Sequence, residues 1–260
     1  MLLAIDMGNT NIVIGCIDDN QIYFIERLST STLKTELEYA VDFKTVLELH
    51  NICAAEIDGA IISSVVPQLN LVIKSALEKL IRIPPFIVGP GLKNGLNILM
   101  DNPSQLGSDL VVNAVATLQE YGAPAIIIDM GTATTISVVD RNRNYVGGQI
   151  LPGVQVSLDS LVSRTAQLPR ISLDAPPKVV GTNTIHCMKS GILYGNASCI
   201  DGMIDRIEEE LGYHATVIAT GGLAKSIIPF CKHEIILDDD LLLKGLKIIY
   251  DKNTKNSKYA

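Results

Sequence analysis

Short apolar runs alternate with polar turns at the start of this chain. The runs at 2–5 and 12–17 are rich in Ile and Val and flank the sequence Asp-Met-Gly-Asn-Thr-Asn, which predicts a β-hairpin. The design returns from Ala125, where Ala-Ile-Ile-Ile-Asp-Met-Gly-Thr-Ala-Thr-Thr again places a polar turn after an apolar run. Two hairpins of one design predict a chain made of two similar halves.

Helical and strand-like segments alternate after each hairpin. Before the second hairpin, the pattern predicts helices over 33–52, 68–81 and 102–118 and strands over 59–66 and 86–88, with Ser104 as the N-cap of the third helix. After it, the pattern predicts a helix over 184–211 (or two joined at a glycine), a strand over 217–219 that runs into Thr220-Gly221-Gly222, and a final helix after Asp238-Asp239-Asp240. This alternation is typical of an α/β protein. Gly122-Ala123-Pro124 interrupts the regular pattern, because Gly and Pro break helices and strands, and it predicts a boundary between domains 1–120 and 121–260.

The predicted helix over 184–211 contains three glycines. Gly191, Gly195 and Gly202 lower its helix propensity, so we expect close packing against another helix to compensate. Its Met and Ile positions are expected to lie in the core or in a seam between subunits. The last ten residues, 251–260, are polar and are expected to fray.

Composition and charge narrow the class of protein. The chain is 47% hydrophobic and 19% charged, which is typical of a globular protein, and its net charge of −7 disfavours nucleic acid or an anionic membrane as a partner. No apolar run reaches the roughly 18 residues of a spanning helix, and the N-terminal sequence lacks the basic region of a signal peptide. The five cysteines form no C-x-x-C pair, which argues against a disulfide framework or a structural zinc site. We therefore expect a cytoplasmic protein.

The two hairpins carry the strongest candidate chemistry. Gly8 can adopt backbone torsions closed to other residues, and successive amides in such a turn can cradle phosphate oxygens. Asp6, at the end of the preceding strand, could hold a hydrated metal ion on those phosphates. Asp and Gly are also common in ordinary turns, but the second copy, Asp129 and Gly131, favours a functional interpretation. The chain contains no Walker or dinucleotide fingerprint, no H-E-x-x-H and no G-x-S-x-G.

The paired D-x-G-[TN] hairpins and the late T-G-G turn resemble the superfamily of actin, heat-shock chaperones, and acetate and sugar kinases. Within it, the chain closely resembles the type III pantothenate kinases. Six motifs carry this resemblance, in the family's order and spacing: DMGNTNI at 6–12, NPSQLGSD at 102–109, DMGTATT at 129–135, GGQILPG at 147–153, GTNT at 181–184 and ATGGLA at 219–224. Each motif is only modestly specific, but the ordered set is highly specific and spans nearly the whole chain.

The resemblance implies a fold and an activity. The fold would be α/β, with two similar ribonuclease-H-like domains of the actin and sugar-kinase type, each a mixed sheet flanked by helices. The activity would be ATP-dependent phosphorylation of pantothenate to 4'-phosphopantothenate, the first step of coenzyme A biosynthesis, with Mg²⁺ and a monovalent cation (K⁺ or NH₄⁺) as cofactors. The resemblance also implies a homodimer with its active site at or near the subunit interface.

The resemblance further implies roles for individual residues. Asp109 would be the catalytic base, Asp129 would ligate the monovalent cation, and Asp6 is a candidate Mg²⁺ contact; from the local sequence alone, Asp109 would instead be a carboxylate that stabilises the first turn of a helix. Gly221 and Gly222 would lie near the nucleoside. The implied ATP contacts are Asp6, Met7, Gly8, Asn9, Thr10, Asn11, Ile12, Val13 and Thr132. The implied pantothenate contacts are Met100, Gly107, Ser108, Asp109, Leu110 and Thr184.

Two of these positions depart from the family pattern. The family usually has Tyr at the position of Met100 and Arg at the position of Leu110. Both of these side chains contact pantothenate, and the Arg faces the carboxylate of pantothenate. Loss of that Arg removes a charged hydrogen bond worth about 1.5–3 kcal/mol. Arg164 and Arg170, in a predicted loop, are candidates to compensate. Two alternatives therefore stay open: a kinase of another small alcohol, and a non-catalytic accessory transcriptional regulator.

Overall fold

The computed structural model of the protein describes residues 1–254. The strands are β1 (Leu2–Met7), β2 (Asn11–Ile17), β3 (Ile22–Ser29), β4 (Gly59–Ser64), β5 (Phe86–Ile87), β6 (Asn97–Ile98), β7 (Ala125–Met130), β8 (Ala133–Val139), β9 (Asn144–Pro152), β10 (Thr216–Thr220) and β11 (Ile236–Leu237). The helices are α1 (Glu36–Leu49), α2 (Asn70–Ile81), α3 (Ser108–Glu120), α4 (Val154–Ser163), α5 (Thr184–Leu211), α6 (Ala224–Ile227) and α7 (Leu241–Thr254). Within residues 1–254, no helix has the length and apolar composition needed to cross a bilayer.

The first compact unit comprises Met1–Leu96, Asn102–Ala116 and α7. Its sheet has the order β3-β2-β1-β4-β5, in which β1, β2 and β3 are antiparallel while β4 and β5 run parallel to β1. On α1, the aromatic residues Tyr39 and Phe43 lie four positions apart and are fully buried in the core beside this sheet. Elsewhere on the sheet, Gly15 and Gly59 leave no room for a Cβ beside α7, so this helix lies directly against the strands.

The second unit comprises Asn97–Asp101 and Thr117–Asp240. Its sheet has the order β11-β10-β7-β8-β9-β6, with β7, β8 and β9 antiparallel and β10 and β11 parallel to β7. The order β9-β8-β7-β10-β11 therefore repeats β3-β2-β1-β4-β5, and β6 adds a parallel strand beside β9. This repeat confirms the two similar halves that the paired hairpins predicted, and the mixed sheets confirm the α/β fold class.

The units are not continuous in sequence, and in this they differ from the predicted domains 1–120 and 121–260. The segment Asn97–Asp101 belongs to the second unit, where β6 pairs with β9. The helix α7 packs on β1, β2 and β4 of the first unit. It includes residues 251–254, which were expected to fray, whereas the same prediction for 255–260 lies outside the described residues.

The start of α3 lies four residues after Ser104, so the prediction of Ser104 as its N-cap is wrong. Pro103–Gln105 forms a single 3₁₀ turn, and Leu106 has extended torsions that interrupt a helix at that point. The Ser104 hydroxyl donates to Asn102 Oδ1 at 2.6 Å instead of capping a helix. The first helical hydrogen bond runs from the Val111 amide to the Gly107 carbonyl, at 3.2 Å.

The helix α5 is continuous over the predicted range. Its apolar positions Met188, Ile192, Ile200, Ile204 and Ile207 are buried in the core of the second unit. A Cβ at Gly191 or Gly195 would meet nothing within 4 Å in the described part of the chain, so these two glycines do not pack against another helix of the same subunit. Their packing against a helix of a second subunit stays a prediction.

Candidate active site

The first hairpin ends in an exposed polar loop that Thr30 holds in place through its hydroxyl and its amide. Asp6 is the penultimate residue of β1, and the Gly8 amide donates to the Asn11 carbonyl at 3.0 Å to close the turn. Thr30, just after β3, donates through its hydroxyl to the Gly8 carbonyl at 2.7 Å and through its amide to the Thr10 carbonyl at 3.0 Å. Asn9, Thr10 and Asn11 are exposed. The loop is therefore fixed while its polar groups face solvent.

Two of the expected ATP contacts in this hairpin point into the core. The side chains of Met7 and Ile12 are fully buried and belong to the hydrophobic cluster of the first unit. Val13 is half-buried on β2, where it pairs with Asp6. Only the backbone of Met7 and Ile12 could therefore face a ligand.

The start of α3 places a half-buried carboxyl group, that of Asp109, in the first unit. Burial raises the pKa of Asp109 above its usual value, although hydrogen bonds from the backbone amides of Leu110 (2.9 Å) and of Asp109 itself oppose the shift. A Cβ at Gly107 would collide with Asp109 Oδ1, so glycine at this position makes room for the carboxylate. The result is a carboxyl group that binds a proton more tightly than a solvated one does.

Strand β4 connects this carboxyl to the first hairpin. In the parallel pairing of β1 with β4, Asp6 lies opposite Ser63 and Met7 opposite Ser64. The hydroxyl of Ser108 lies 3.0 Å from the Ser63 hydroxyl and 2.9 Å from the Ser64 amide. The structure thus brings together, within one unit, the Asp6 hairpin and the segment Gly107–Leu110, which are about a hundred residues apart in sequence.

The sequence reasoning missed Thr30, Ser63 and Ser64. Each is a small hydroxyl residue at a strand end, and Ser63 is fully buried. The available signal was the pair Ser63-Ser64 at the end of an apolar strand, since a buried hydroxyl requires a hydrogen-bond partner.

The second hairpin is held differently, by close backbone approach. Asp129 is the penultimate residue of β7, and the Gly131 amide donates to the Ala133 carbonyl at 3.0 Å. Gly221, at φ +95°, follows β10, and a Cβ there would lie 2.6 Å from both Asp129 Oδ1 and the Met130 amide. A Cβ at Gly153 would likewise collide with the carbonyls of Gly131 and Thr132. This unit thus brings Asp129, Thr132 and the T-G-G turn together.

The remaining expected substrate residues are placed as follows. Met100 is half-buried in the segment of the second unit that follows β6, and Leu110 is half-buried in the first turn of α3. Thr184 is exposed at the first position of α5, next to the N-cap Asn183, whose side chain accepts a hydrogen bond from the His186 amide at 2.9 Å.

Comparison with known proteins identifies the family. The model of the family described as "Type III pantothenate kinase" matches residues 2–206. Proteins named type III pantothenate kinase from Halalkalibacterium halodurans and Bacillus cytotoxicus are 45% and 44% identical to this chain over 253 residues. These alignments cover 97% of the chain in both cases, and 100% and 97% of the two relatives. The chain belongs to the type III pantothenate kinase family.

Similarity to solved structures agrees with this family at the level of fold. A structure titled as a conserved putative Baf family transcriptional activator from Campylobacter jejuni superposes with a TM-score of 0.58 at 20% identity, covering 97% of this chain and 99% of that one. The activator of 2-hydroxyisocaproyl-CoA dehydratase from Clostridium difficile, solved with bound ADPNP, gives 0.57 at 12% identity, covering 100% and 97%. At such identities the likeness shows the fold alone, an α/β fold of the actin and sugar-kinase type.

In this type III pantothenate kinase family member, the residues of the first hairpin fit a Mg²⁺ ion that binds together with the nucleotide. Asp6, the candidate Mg²⁺ contact, supplies one carboxylate at a strand end, and residues 1–254 contain no group of three or more His, Cys, Asp or Glu side chains placed to hold a metal. Mg²⁺ in phosphoryl-transfer sites takes one or two carboxylates and completes its shell with water and substrate phosphates. The residues present therefore fit Mg²⁺ held on a nucleotide rather than in a protein cage.

A surface cavity of about 830 Å³ lies along α4 and the segment after it. Its walls include Arg164 and Arg170, the two candidates to compensate for Leu110, together with Gln155, Asp159 and Ser160. None of the expected site residues lines this cavity. A second cavity, of about 400 Å³ near Met1 and Lys247, contains none of them either.

Proposed function

We propose that this protein transfers the γ-phosphoryl group of ATP to the primary hydroxyl of pantothenate, giving 4'-phosphopantothenate and ADP in the first step of coenzyme A biosynthesis. The observation that carries the proposal is membership of the type III pantothenate kinase family, with 43–45% identity over nearly the whole chain. In the reaction, the pantothenate oxygen bonds to the γ-phosphorus as the bond to the β-phosphate oxygen breaks.

Asp109 is the base of this reaction. It accepts the hydroxyl proton as the new phosphorus–oxygen bond forms, and its raised pKa makes it a stronger proton acceptor than an ordinary Asp. Its position in the first turn of α3, beside Gly107, supports this assignment.

The two hairpins bind the nucleotide and its cations. The backbone of residues 6–13 holds the ATP phosphates, with Asp6 as the Mg²⁺ contact, and Thr132 and the Gly221-Gly222 turn complete the nucleotide contacts. Asp129 ligates K⁺ or NH₄⁺. When bound, these cations neutralise charge on the transferred phosphoryl group, which is the main requirement of phosphoryl transfer.

Pantothenate contacts Met100, Gly107, Leu110 and Thr184 as well as Asp109. The segment Gly107–Leu110 carries no cation for the substrate carboxylate, because Leu110 is apolar. Arg164 and Arg170 are the proposed compensating cations.

The protein acts as a homodimer in the cytoplasm, and nucleic acid is not its partner. The exposed positions Gly191, Gly195 and Cys199 on α5 offer a face without bulky side chains for a second subunit. Gly195→Arg should lower the molar mass measured by light scattering from dimer to monomer, whereas a monomeric wild type would contradict the assignment.

Transfer of radiolabel from [γ-³²P]ATP tests the proposed reaction. We expect label in pantothenate in the presence of K⁺ or NH₄⁺, little transfer in Na⁺ or Tris, and none with Asp109→Asn. Asp205→Asn, which changes an exposed carboxylate of the second unit, is the matched control and should behave as wild type. Transfer to the neutral analogue pantothenyl alcohol but not to pantothenate would indicate a kinase of another alcohol, and no transfer to either would favour the regulator.

A further inference from the structure

Three serines at the junction of β4 and α3 share one hydrogen-bond network. The Ser108 hydroxyl lies 3.0 Å from the Ser63 hydroxyl, 2.9 Å from the Ser64 amide and 3.0 Å from the Ser64 carbonyl. A serine hydroxyl has one proton to donate and two lone pairs that accept. These three contacts therefore use its full capacity.

Only one proton arrangement satisfies all three contacts. The Ser64 amide can only donate, and the Ser64 carbonyl can only accept, so the Ser108 proton goes to the carbonyl. The second lone pair of Ser108 then accepts from Ser63, which must be the donor in the hydroxyl pair. The Ser108 hydroxyl therefore has no donor or acceptor position left for pantothenate, although Ser108 was expected to be a substrate contact.

The network ties the base to the strand beside the first hairpin. Ser63 and Ser64 lie opposite Asp6 and Met7 in the sheet, and the Val65 amide donates to the Met7 carbonyl at 3.0 Å. On the other side, Ser108 directly precedes Asp109 in α3. A shift of the Ser108 side chain therefore moves Asp109 relative to the strand end that carries Asp6.

We infer that Ser63 and Ser108 are positioning residues, which fix the Asp109 carboxylate relative to the Asp6 hairpin and do not contact the substrate. Ser63 is fully buried, so it can act only through its hydrogen bond to Ser108. The inference rests on the proposed role of Asp109, and it deepens that role by naming what holds the base in place.

Steady-state kinetics of Ser108→Ala and Ser63→Ala separates positioning from substrate contact. A lost positioning residue lowers kcat with little change in the KM for pantothenate, whereas a lost substrate contact raises KM. We expect kcat to fall by about tenfold for Ser108→Ala and by about threefold for Ser63→Ala, since small misplacements of a reacting group already cost this much. Thr45→Ala, which removes an exposed hydroxyl bonded only within α1, is the control and should leave both constants unchanged.

The double variant provides the decisive comparison. Because Ser63 acts through Ser108, the double variant should match Ser108→Ala alone, and the double-mutant cycle should show strong coupling. Independent, additive losses, or a raised KM with unchanged kcat for Ser108→Ala, would overturn the inference.

A titration keeps this test separate from the proposed reaction. The ¹³C carboxyl resonance of Asp109, identified by its absence in Asp109→Asn, should titrate at a different pH in Ser108→Ala and in Ser63→Ala than in wild type. An unchanged titration in both variants would contradict the positioning role even if the wild type phosphorylated nothing. Conversely, an inactive wild type with the expected shifts would overturn the proposed function and leave the network intact.

Discussion

The two D-x-G hairpins occupy equivalent places in equivalent sheets, yet the structure secures them by different means. In the first unit, the hydroxyl of Thr30 holds the loop after Asp6, and Ser63 and Ser64 connect the neighbouring strand β4 to α3. In the second, Gly153 and Gly221 bring bare backbone against the loop after Asp129. The loops also differ in length, because Met7 pairs with Ile12 whereas Met130 pairs with Thr134, one residue closer.

The two hairpins therefore differ in how much of each loop stays exposed. Hydroxyl side chains can hold a loop and still leave space around it, and the longer first loop exposes Asn9, Thr10 and Asn11. Backbone packing instead fixes Asp129 within contact of the turn after β10. In the proposed function, the first arrangement holds the loop that binds phosphates, and the second holds the carboxylate that ligates a cation.

Removal of the base should have the largest effect. Asp109→Asn keeps the shape of the side chain but cannot accept a proton, so we expect kcat to fall by about 10²–10⁴-fold. Near-normal turnover would show that the first unit does not supply the base.

The pKa of Asp109 also predicts how the stability of Asp109→Asn compares with that of the wild type. Burial raises the pKa of Asp109 in the folded state, so the folded protein holds this proton more tightly than the unfolded chain. The contribution of this group to stability is therefore full below the unfolded pKa and is lost as pH rises through the folded pKa. At neutral pH, thermal unfolding of Asp109→Asn should occur at the wild-type temperature or higher, and wild-type kcat should fall on the acid side as Asp109 becomes protonated.

The paired carboxylates should respond differently to the same change. Asp129→Ala should lose the stimulation by K⁺, with at least about a tenfold drop in activity at saturating K⁺, or 1.4 kcal/mol. Asp6→Ala should keep the stimulation by K⁺ but raise the KM for MgATP. Titration of activity with KCl and with MgATP in both variants checks this, and full, cation-independent activity of Asp129→Ala would remove its assigned role.

The two ways of holding a hairpin can be compared by unfolding. Gly221→Ala forces a side chain into φ +95° and against Asp129, so we expect a loss of about 1–3 kcal/mol in the free energy of unfolding. Thr30→Ala removes one hydrogen bond to the Gly8 carbonyl and should cost about 0.5–1.5 kcal/mol. Urea denaturation of both variants measures the difference, and equal losses would mean that close backbone approach does not distinguish the second hairpin.

Substitution of Leu110, a proposed pantothenate contact in the first unit, should have the smallest effect on turnover. Leu110→Arg should lower the apparent KM for pantothenate by about tenfold, with a smaller change in kcat, since the carboxylate is remote from the reacting hydroxyl. Arg164→Ala and Arg170→Ala are the matched variants. If these raise KM while Leu110→Arg leaves it unchanged, the cavity along α4 already supplies the cation, and a raised KM for Leu110→Arg would indicate a less acidic substrate.

Short-range residue patterns were sufficient to predict most of the strands and helices. Apolar runs specify β1, β2, β7 and β8, and in β2, β7 and β8 these runs are rich in the β-branched residues that fit a buried strand. The repeated Asp-Met-Gly specifies two equivalent turns. The ordered motifs were sufficient for the family. Helix α5 also followed from spacing alone, because its buried residues recur at the helical period.

The start of α3 and the position of its Asp109 carboxylate depend instead on contacts between residues far apart in the sequence. The first helical hydrogen bond is accepted by the Gly107 carbonyl, and Ser108 is fixed by bonds to Ser63 and Ser64, which are 45 and 44 positions away. The local N-cap preference of Ser104 therefore did not locate the start of the helix. Long-range packing likewise placed α7 in the first unit and left Gly191 and Gly195 open. The physical reason is the same in each case: periodicity reports which face of an element is buried, but the partner that buries it, or satisfies its hydroxyl, comes from a distant part of the chain.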